Sequence, residues 1–172
     1  MAADVAFEIL YKEYNARVFG LCRRLLGSTD LAKDATQETF VKAYKSFSKY
    51  DNKQPFWRWI STIAGNHCVD VLRGQQRTKS LFGDEATELE QIASSTASDI
   101  NLLIERQEST ALTEAIQQLP EKYRVPIVLA YFNEASYEEI AVTLAITRNH
   151  VGILLLRGRQ MLREQLASGA DV

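Results

Sequence analysis

Residues 136–159 read SYEEIAVTLAITRNHVGILLLRGR. Ser136 can accept from a backbone N–H and Glu139, three residues on, can reach back, a capping box that marks where a helix starts. Ile140, Ala141 and Leu144 then recur at helical spacing. Ile146 falls in a tight turn, and Thr147 is placed to cap a second helix. In that helix Val151, Leu154 and Leu155 stand at i, i+3 and i+4, so they can pack back on Ile140 and Leu144. Two short helices locked at a steep angle make a helix-turn-helix, whose second helix enters a DNA major groove. Amphipathic pairs that only fill a core share this pattern, so the motif alone leaves both uses open.

Outward from this motif, the 172 residues suffice for one domain or two small ones. A hydrophobic fraction of 46% with 24% charged residues is that of a chain able to bury a core, which argues against wholesale disorder. The net charge of −2 hides an asymmetry. Residues 1–79 hold 13 basic and 8 acidic side chains, residues 80–107 hold 1 and 6, and residues 108–172 hold 6 and 8. No early apolar run has the length of a signal peptide or a spanning helix, which points to the cytoplasm without membrane insertion. Cys22 and Cys68 are too few and too far apart for a zinc knuckle, and they read as small core residues.

At the front, Phe7, Leu10, Tyr11, Tyr14, Val18, Leu21, Cys22 and Leu25 form a helical stripe that predicts a helix to Leu26. Gly27 can supply the left-handed residue past its end, with Ser28 or Thr29 capping the next helix. That helix, about Asp30 to Phe47, turns Leu31, Ala35, Thr39 or Phe40, Ala43, Tyr44 and Phe47 inward and leaves Asp34, Gln37, Glu38 and Lys42 on one outer stripe. Such a carboxylate pair is most simply a solvated face. After a loop containing Asp51, Asn52, Lys53 and Pro55, a third helix carries Phe56, Trp59, Ile60, Ile63, Ala64 and Val71 on its inner face. Trp57, Arg58, Asn66, Asp70, Arg73 and Arg77 are left to other faces. Trp59 reads as core and Trp57 as the better candidate for stacking on an unpaired base, worth roughly 1–3 kcal/mol per stack.

From about Ser80 the pattern breaks into LFGDEATELEQIASSTASD, an acidic, hydroxyl-rich linker. Helical spacing returns at Ile100, Leu103, Ile104, Ala111, Leu112, Ala115, Ile116 and Leu119. A helix from about Tyr123 to Phe132 can then hold Pro126 in its first turn, where the N–H groups lack internal partners.

Three of these stretches resemble bacterial RNA polymerase sigma factors of the sigma-70 family, extracytoplasmic-function type. DLAKDATQETFVKAY is similar to the family's segment that docks on core polymerase, its Asp, Gln–Glu and Phe falling on Asp34, Gln37, Glu38 and Phe40. PFWRWISTIAGNHCVDVLR resembles the element that melts and reads the minus-10 strand, its Trp, Asn, Asp and Arg falling on Trp59, Asn66, Asp70 and Arg73. Tyr137 to Ala141 with Val151, Leu155, Arg157 and Arg159 resemble the promoter-binding helices. The family usually has Gly where this chain has Ala145, and basic or hydroxyl residues where it has Gly152, Ile153 and Leu154.

The resemblance implies an all-α fold of two small helical domains joined by a flexible acidic linker. A region 2-like domain spans 1–79, the linker 80–107, running into the next domain's first helix, and a region 4-like helix-turn-helix domain 108–172. It implies core RNA polymerase and promoter DNA as partners, with an anti-sigma factor as regulator. Core polymerase would meet Asp34, Gln37, Glu38 and Phe40. The minus-10 strand would meet Asn52, Lys53, Trp57, Arg58, Asn66, Asp70, Arg73 and Arg77. The minus-35 duplex would meet Thr147, Arg148, Asn149, His150 and Ile153, with Arg157 and Arg159 on phosphates. No phosphate loop, metal set or nucleophile elbow is present in the sequence, and His67 and His150 read as packing or DNA-facing residues, so no enzyme activity, metal or cofactor is expected. The competing class, a stand-alone helix-turn-helix regulator, leaves the Asp34–Gln37–Glu38 stripe and the PFWRW segment without a task.

Overall fold

The computed structural model describes residues 2–75 and 110–170. The expected linker over 80–107, the apolar positions Ile100, Leu103 and Ile104, and Arg77 lie outside them. All regular structure among the described residues is helical, and contacts divide the chain into two units, one ending at Gln75 and one following it.

The first unit is three helices, α1 (Ala2–Leu26), α2 (Thr29–Lys45) and α3 (Phe56–Gln75), each packed on the other two. Gly27 adopts φ 74° and ends α1, after which the Ser28 hydroxyl accepts from Leu31 N at 3.3 Å to start α2. A short 3-10 turn, Phe47–Lys49, leads into the loop before α3. Val18, Leu21, Leu25, Ile60 and Leu72 fill the centre. Thr36 and Thr39 enter it without stranding a hydroxyl, since each donates to the carbonyl four residues back, at 2.6 and 2.7 Å. Cys22 and Cys68 are buried and free. The neighbouring Cys22 thiol, with burial, pushes the Cys68 thiol well above its ordinary range, which suits two small core residues.

The buried arc of α3 differs from the expected one. Phe56, Trp57, Ile60, Ser61, Ala64, Gly65, Cys68, Val69 and Leu72 are buried, whereas Trp59 and Ile63 are half-exposed. The arc has rotated because α3 packs against both α1 and α2, and the small residues Ser61, Gly65 and Cys68 lie on the side so covered.

The second unit contains α4 (Thr110–Gln118), α5 (Glu121–Tyr131), α6 (Tyr137–Leu144) and α7 (Arg148–Ala170), with α7 touching the other three. Arg124 of α5 is buried and donates from Nη1 to Leu119 O at 3.4 Å, a cation answering carbonyls left at the end of α4. α5 starts two residues earlier than expected, because the Pro120 carbonyl accepts from both Tyr123 N and Arg124 N. Pro126 is therefore its sixth residue, beyond the first turn, and the burial of Val125, Ile127, Val128 and Leu129 must outweigh the lost donor.

Between α6 and α7 the chain bends by 100°. The capping box forms in full, with Glu139 N to Ser136 Oγ and Ser136 N to Glu139 Oε1 both at 3.1 Å. Thr147 Oγ1 accepts from His150 N at 3.1 Å. Ile140 and Leu144 lie buried with Val151, Leu154 and Leu155. Ala145 occupies the turn with φ 56° and ψ 44°, the left-handed region that a Cβ disfavours by about 1–2 kcal/mol. Among the described residues no single helix is long and apolar enough to cross a membrane.

Ala145→Gly should raise the unfolding free energy of this unit by about 0.5–1 kcal/mol, the relief of strain exceeding the greater freedom of an unfolded glycine. Denaturant melts of the full chain, followed by helical ellipticity, check this; a lower midpoint for the variant would contradict it.

Candidate functional site

Three surfaces carry the residues singled out by the sequence. On α2, Asp34, Gln37 and Glu38 are exposed, while Ala32, Ala35, Thr36, Thr39, Phe40 and Ala43 are turned inward. Phe40 and Thr39, the two alternatives for the inner face, are both buried, so Phe40 can meet a partner only from beneath. Its ring meets Tyr11 at 4.8 Å and Phe7 at 6.3 Å, both edge-on, because α1 crosses α2 there. It forms instead the floor of a groove walled by Phe7, Tyr11, Gln37, Val41, Tyr44 and Lys45. Tyr11, Val41 and Tyr44 keep 40–53% of their surface open, an exposed apolar cluster bordered by the polar stripe. Gln37 belongs to both. Tyr44 OH donates to Asp4 Oδ1 at 2.7 Å, which ties the start of α1 to α2 and, through the carboxylate, raises the phenol's pKa.

Next to the stripe, Lys42 Nζ lies 2.9 Å from His67 Nδ1 and links α2 to α3. Partial burial and then the Lys42 charge hold the His67 pKa below its ordinary value, against smaller opposing effects of Glu38 and Asp70. The imidazole is therefore neutral at physiological pH and accepts from the ammonium.

On α3, Arg58, Asn66, Asp70 and Arg73 are exposed, as are Asn52 and Lys53 in the preceding loop. Asp51 Oδ1 accepts from Lys53 N at 3.0 Å, an Asx turn that sets the loop's shape. Arg73 and Asp70 approach to 3.9 Å at the surface, a pair worth little to stability. Trp57 needs correction: it is 7% exposed, stacked on Tyr14 at 6.4 Å and covered by the Arg17 guanidinium 3.8 Å from its ring. α1 supplies both partners, so no periodicity within α3 could have shown this burial. Trp59 has the surface expected of Trp57, half-exposed beside Tyr50 at 5.0 Å and Phe47 at 6.3 Å. Tyr50 is a further candidate that the sequence reading passed over. The spacing of Phe47, Tyr50, Phe56 and Trp59 across the loop was its signal.

At the start of α7, Thr147 just before it and Arg148 and Asn149 within it are exposed, and His150, Ile153 and Arg157 are half-exposed. Arg159 needs correction. It is 9% exposed and donates from Nη1 to Tyr131 OH at 2.8 Å. Position 159 follows Leu155 by four residues, so the period that turns Leu155 inward turns Arg159 inward too. Burial works against its charge, but hydrogen bonds to Tyr131 and Tyr137 prevail and hold the guanidinium above its usual pKa, so it stays cationic inside the unit. Arg159 is thereby a packing residue. Arg148 Nε donates to Glu138 Oε1 across the bend, and its guanidinium sits 5.5 Å from the Tyr137 ring centroid.

With these surfaces defined, comparison with known proteins gives consistent matches. The Sigma-70 region 2 family matches residues 10–78, and the Sigma-70, region 4 family matches residues 109–162. ECF RNA polymerase sigma factor SigW of Bacillus subtilis is 32% identical over 166 residues, spanning 94% of this chain and 89% of that protein. RNA polymerase sigma factor CarQ of Myxococcus xanthus is 32% identical over 164 residues, spanning 95% and 91%. Among solved structures, the sigma factor RpoE bound to the anti-sigma factor NepR, from Bartonella quintana, matches with a TM-score of 0.60 at 20% identity, covering 94% of this chain and 97% of that one. CnrH in complex with the cytosolic domain of CnrY matches with a TM-score of 0.55 at 21% identity, covering 96% and 90%.

The two tryptophans should separate on mutation. Trp57→Ala is expected to cost about 3–5 kcal/mol of stability. Trp59→Ala, which removes a half-exposed ring, should cost about 1–2 kcal/mol. Equal losses in denaturant melts would contradict the assignment of Trp57 to the core.

Proposed function

The chain belongs to the sigma-70 family as an extracytoplasmic-function sigma factor that directs core RNA polymerase to promoters, and we propose that it does so through the three surfaces described above. The observation that carries this reading is the outer face of α2. Asp34, Gln37 and Glu38 stand exposed opposite the packed face of Ala32, Ala35, Thr36, Thr39 and Ala43, and they border an open apolar groove between α1 and α2. An apolar centre with a polar rim is how a protein partner is held, and core polymerase is the partner assigned to it. Phe40 contributes from beneath, as the groove's floor.

The minus-10 strand is assigned to the exposed side of α3 and its loop, with Asn52, Lys53, Arg58, Asn66, Asp70 and Arg73 as polar groups. Trp59 replaces Trp57 as the aromatic platform. An unpaired base needs a ring with an accessible face, and Trp59 beside Tyr50 has one. The minus-35 duplex is assigned to the start of α7. Arg148 can make a bidentate contact with guanine, Asn149 can pair with adenine, and Ile153 can pack on a thymine methyl, while Thr147 and His150 flank them. Arg157, on the same helix, goes to phosphate. The chain would act in the cytoplasm, held by an anti-sigma factor, the class of partner named in the complexes of its structural neighbours.

Charge reversal of the stripe, Asp34→Lys with Glu38→Lys, tests the docking face. Affinity for core polymerase, measured by titration of labelled chain, should fall by at least about tenfold. The melting temperature should hardly change, since exposed charges add little to stability. Unchanged affinity would exclude the stripe from the interface.

A further inference from the structure

The pair formed by Glu138 and Arg148 has no evident task in the fold. Both side chains are about two-thirds exposed, at 65% and 66%, and so open a pair adds little to stability. Its geometry is nevertheless specific. Glu138 is the second residue of α6 and Arg148 the first of α7, so the contact spans the 100° bend. Arg148 meets the carboxylate through Nε, and neither of its terminal nitrogens takes a hydrogen-bond partner among the described residues. The guanidinium lies over the Tyr137 ring, and that ring is itself fixed. Its Cε2 lies 3.8 Å from where a Cβ on Gly152 would stand, against the next turn of α7, and its hydroxyl helps to raise the pKa of Arg159. Glu138 is kept ionised, its pKa lowered by a bond to its own backbone N–H and then by Arg148.

A long flexible side chain that must present two parallel donors to O6 and N7 of guanine loses conformational freedom on binding, unless something already holds it. Here the carboxylate takes the Nε edge and the ring takes the face, leaving Nη1 and Nη2 as the presenting edge. We propose that Glu138 is a positioning residue for minus-35 readout, bracing Arg148 on Tyr137 so that its terminal nitrogens meet a guanine. The same carboxylate repels phosphates and so lowers binding where no guanine answers Arg148. Specificity rises from both effects. This rests on the assignment of Arg148 to base readout.

The test uses holoenzyme reconstituted from core polymerase and the full chain, with a promoter duplex library randomised across the minus-35 element, at two salt concentrations. The variants are Arg148→Ala, Glu138→Ala, Glu138→Gln and the Arg148→Ala, Glu138→Ala double. Glu138→Ala is expected to lower preference by about tenfold at the base pair that Arg148→Ala relaxes and at no other. The double variant should be no worse than Arg148→Ala alone, and Glu138→Gln, which keeps an acceptor, should recover most of the preference. Stronger binding of Glu138→Ala to all sequences with preference intact would overturn the proposal, making Glu138 only a neutraliser of Arg148. A uniform loss with a lowered melting temperature would also overturn it, making Glu138 part of the fold. If Arg148→Ala changed every affinity alike, the assignment of Arg148 to base readout would fail first, and the brace with it.

Discussion

The left-handed turn at Ala145 sets the geometry on which the DNA-facing part of the molecule depends. With Ala145 N donating to Val142 O and Ile146 N to Ala141 O, α6 is closed off and the chain leaves at 100°. At that angle Val151, Leu154 and Leu155 are buried together with Ile140 and Leu144. The apolar contact stabilises the bend, and the bend costs backbone strain that a glycine would avoid. Once α7 is seated this way its rotation is settled. Gly158 lies against α5, where a Cβ would come within 2.9 Å of Ile127, and Arg159 reaches Tyr131 on the same helix. What remains outward is the row Thr147, Arg148, Asn149 and Ile153, with Arg157 one turn on.

The first unit solves a different problem, that of keeping two exposed faces on three mutually packed helices. Small and hydroxylated residues make this possible. Thr36 and Thr39 satisfy their own hydroxyls on α2, and Ser61, Ala64 and Gly65 thin the middle of α3, so the large aromatics are displaced toward one end. There Phe7, Tyr11, Phe40, Phe47, Tyr50, Phe56 and Trp59 form a connected set of edge and tilted contacts, part buried and part open. The groove beside the α2 stripe and the rings beside the α3 loop both draw on this set. Partner docking and base stacking would thus use the margins of one aromatic core.

Features made by neighbours in sequence were legible. The Ser136–Glu139 box, the Ser28 cap and the left-handed Gly27 follow from residues within four positions of one another, and each stands as expected. Features made across helices were not. Trp57 and Trp59 flank the same arc, and which one is buried was decided by Tyr14 and Arg17 from α1. Phe40 was legible as an inward residue of α2, but the groove it floors is made with Phe7 and Tyr11 of α1 and was not. Arg159 was readable, since it shares the register of Leu155, but its charge suggested a surface place; a phenol at Tyr131, 28 residues away, supplies the partner that lets it be buried. The Glu138–Arg148 pair joins residues ten apart across a bend whose angle no local pattern sets.

The claim that these units act together as a sigma factor is tested most directly by transcription from purified components. Core polymerase alone, and core polymerase with this chain, would be given a library of DNA templates, and the 5′ ends of the transcripts mapped. The account predicts that the chain confers initiation at a discrete set of sites sharing both a minus-35 and a minus-10 element, and that replacing either element abolishes it. Binding to the same DNA with no initiation by the polymerase would contradict it and assign the chain to stand-alone regulators.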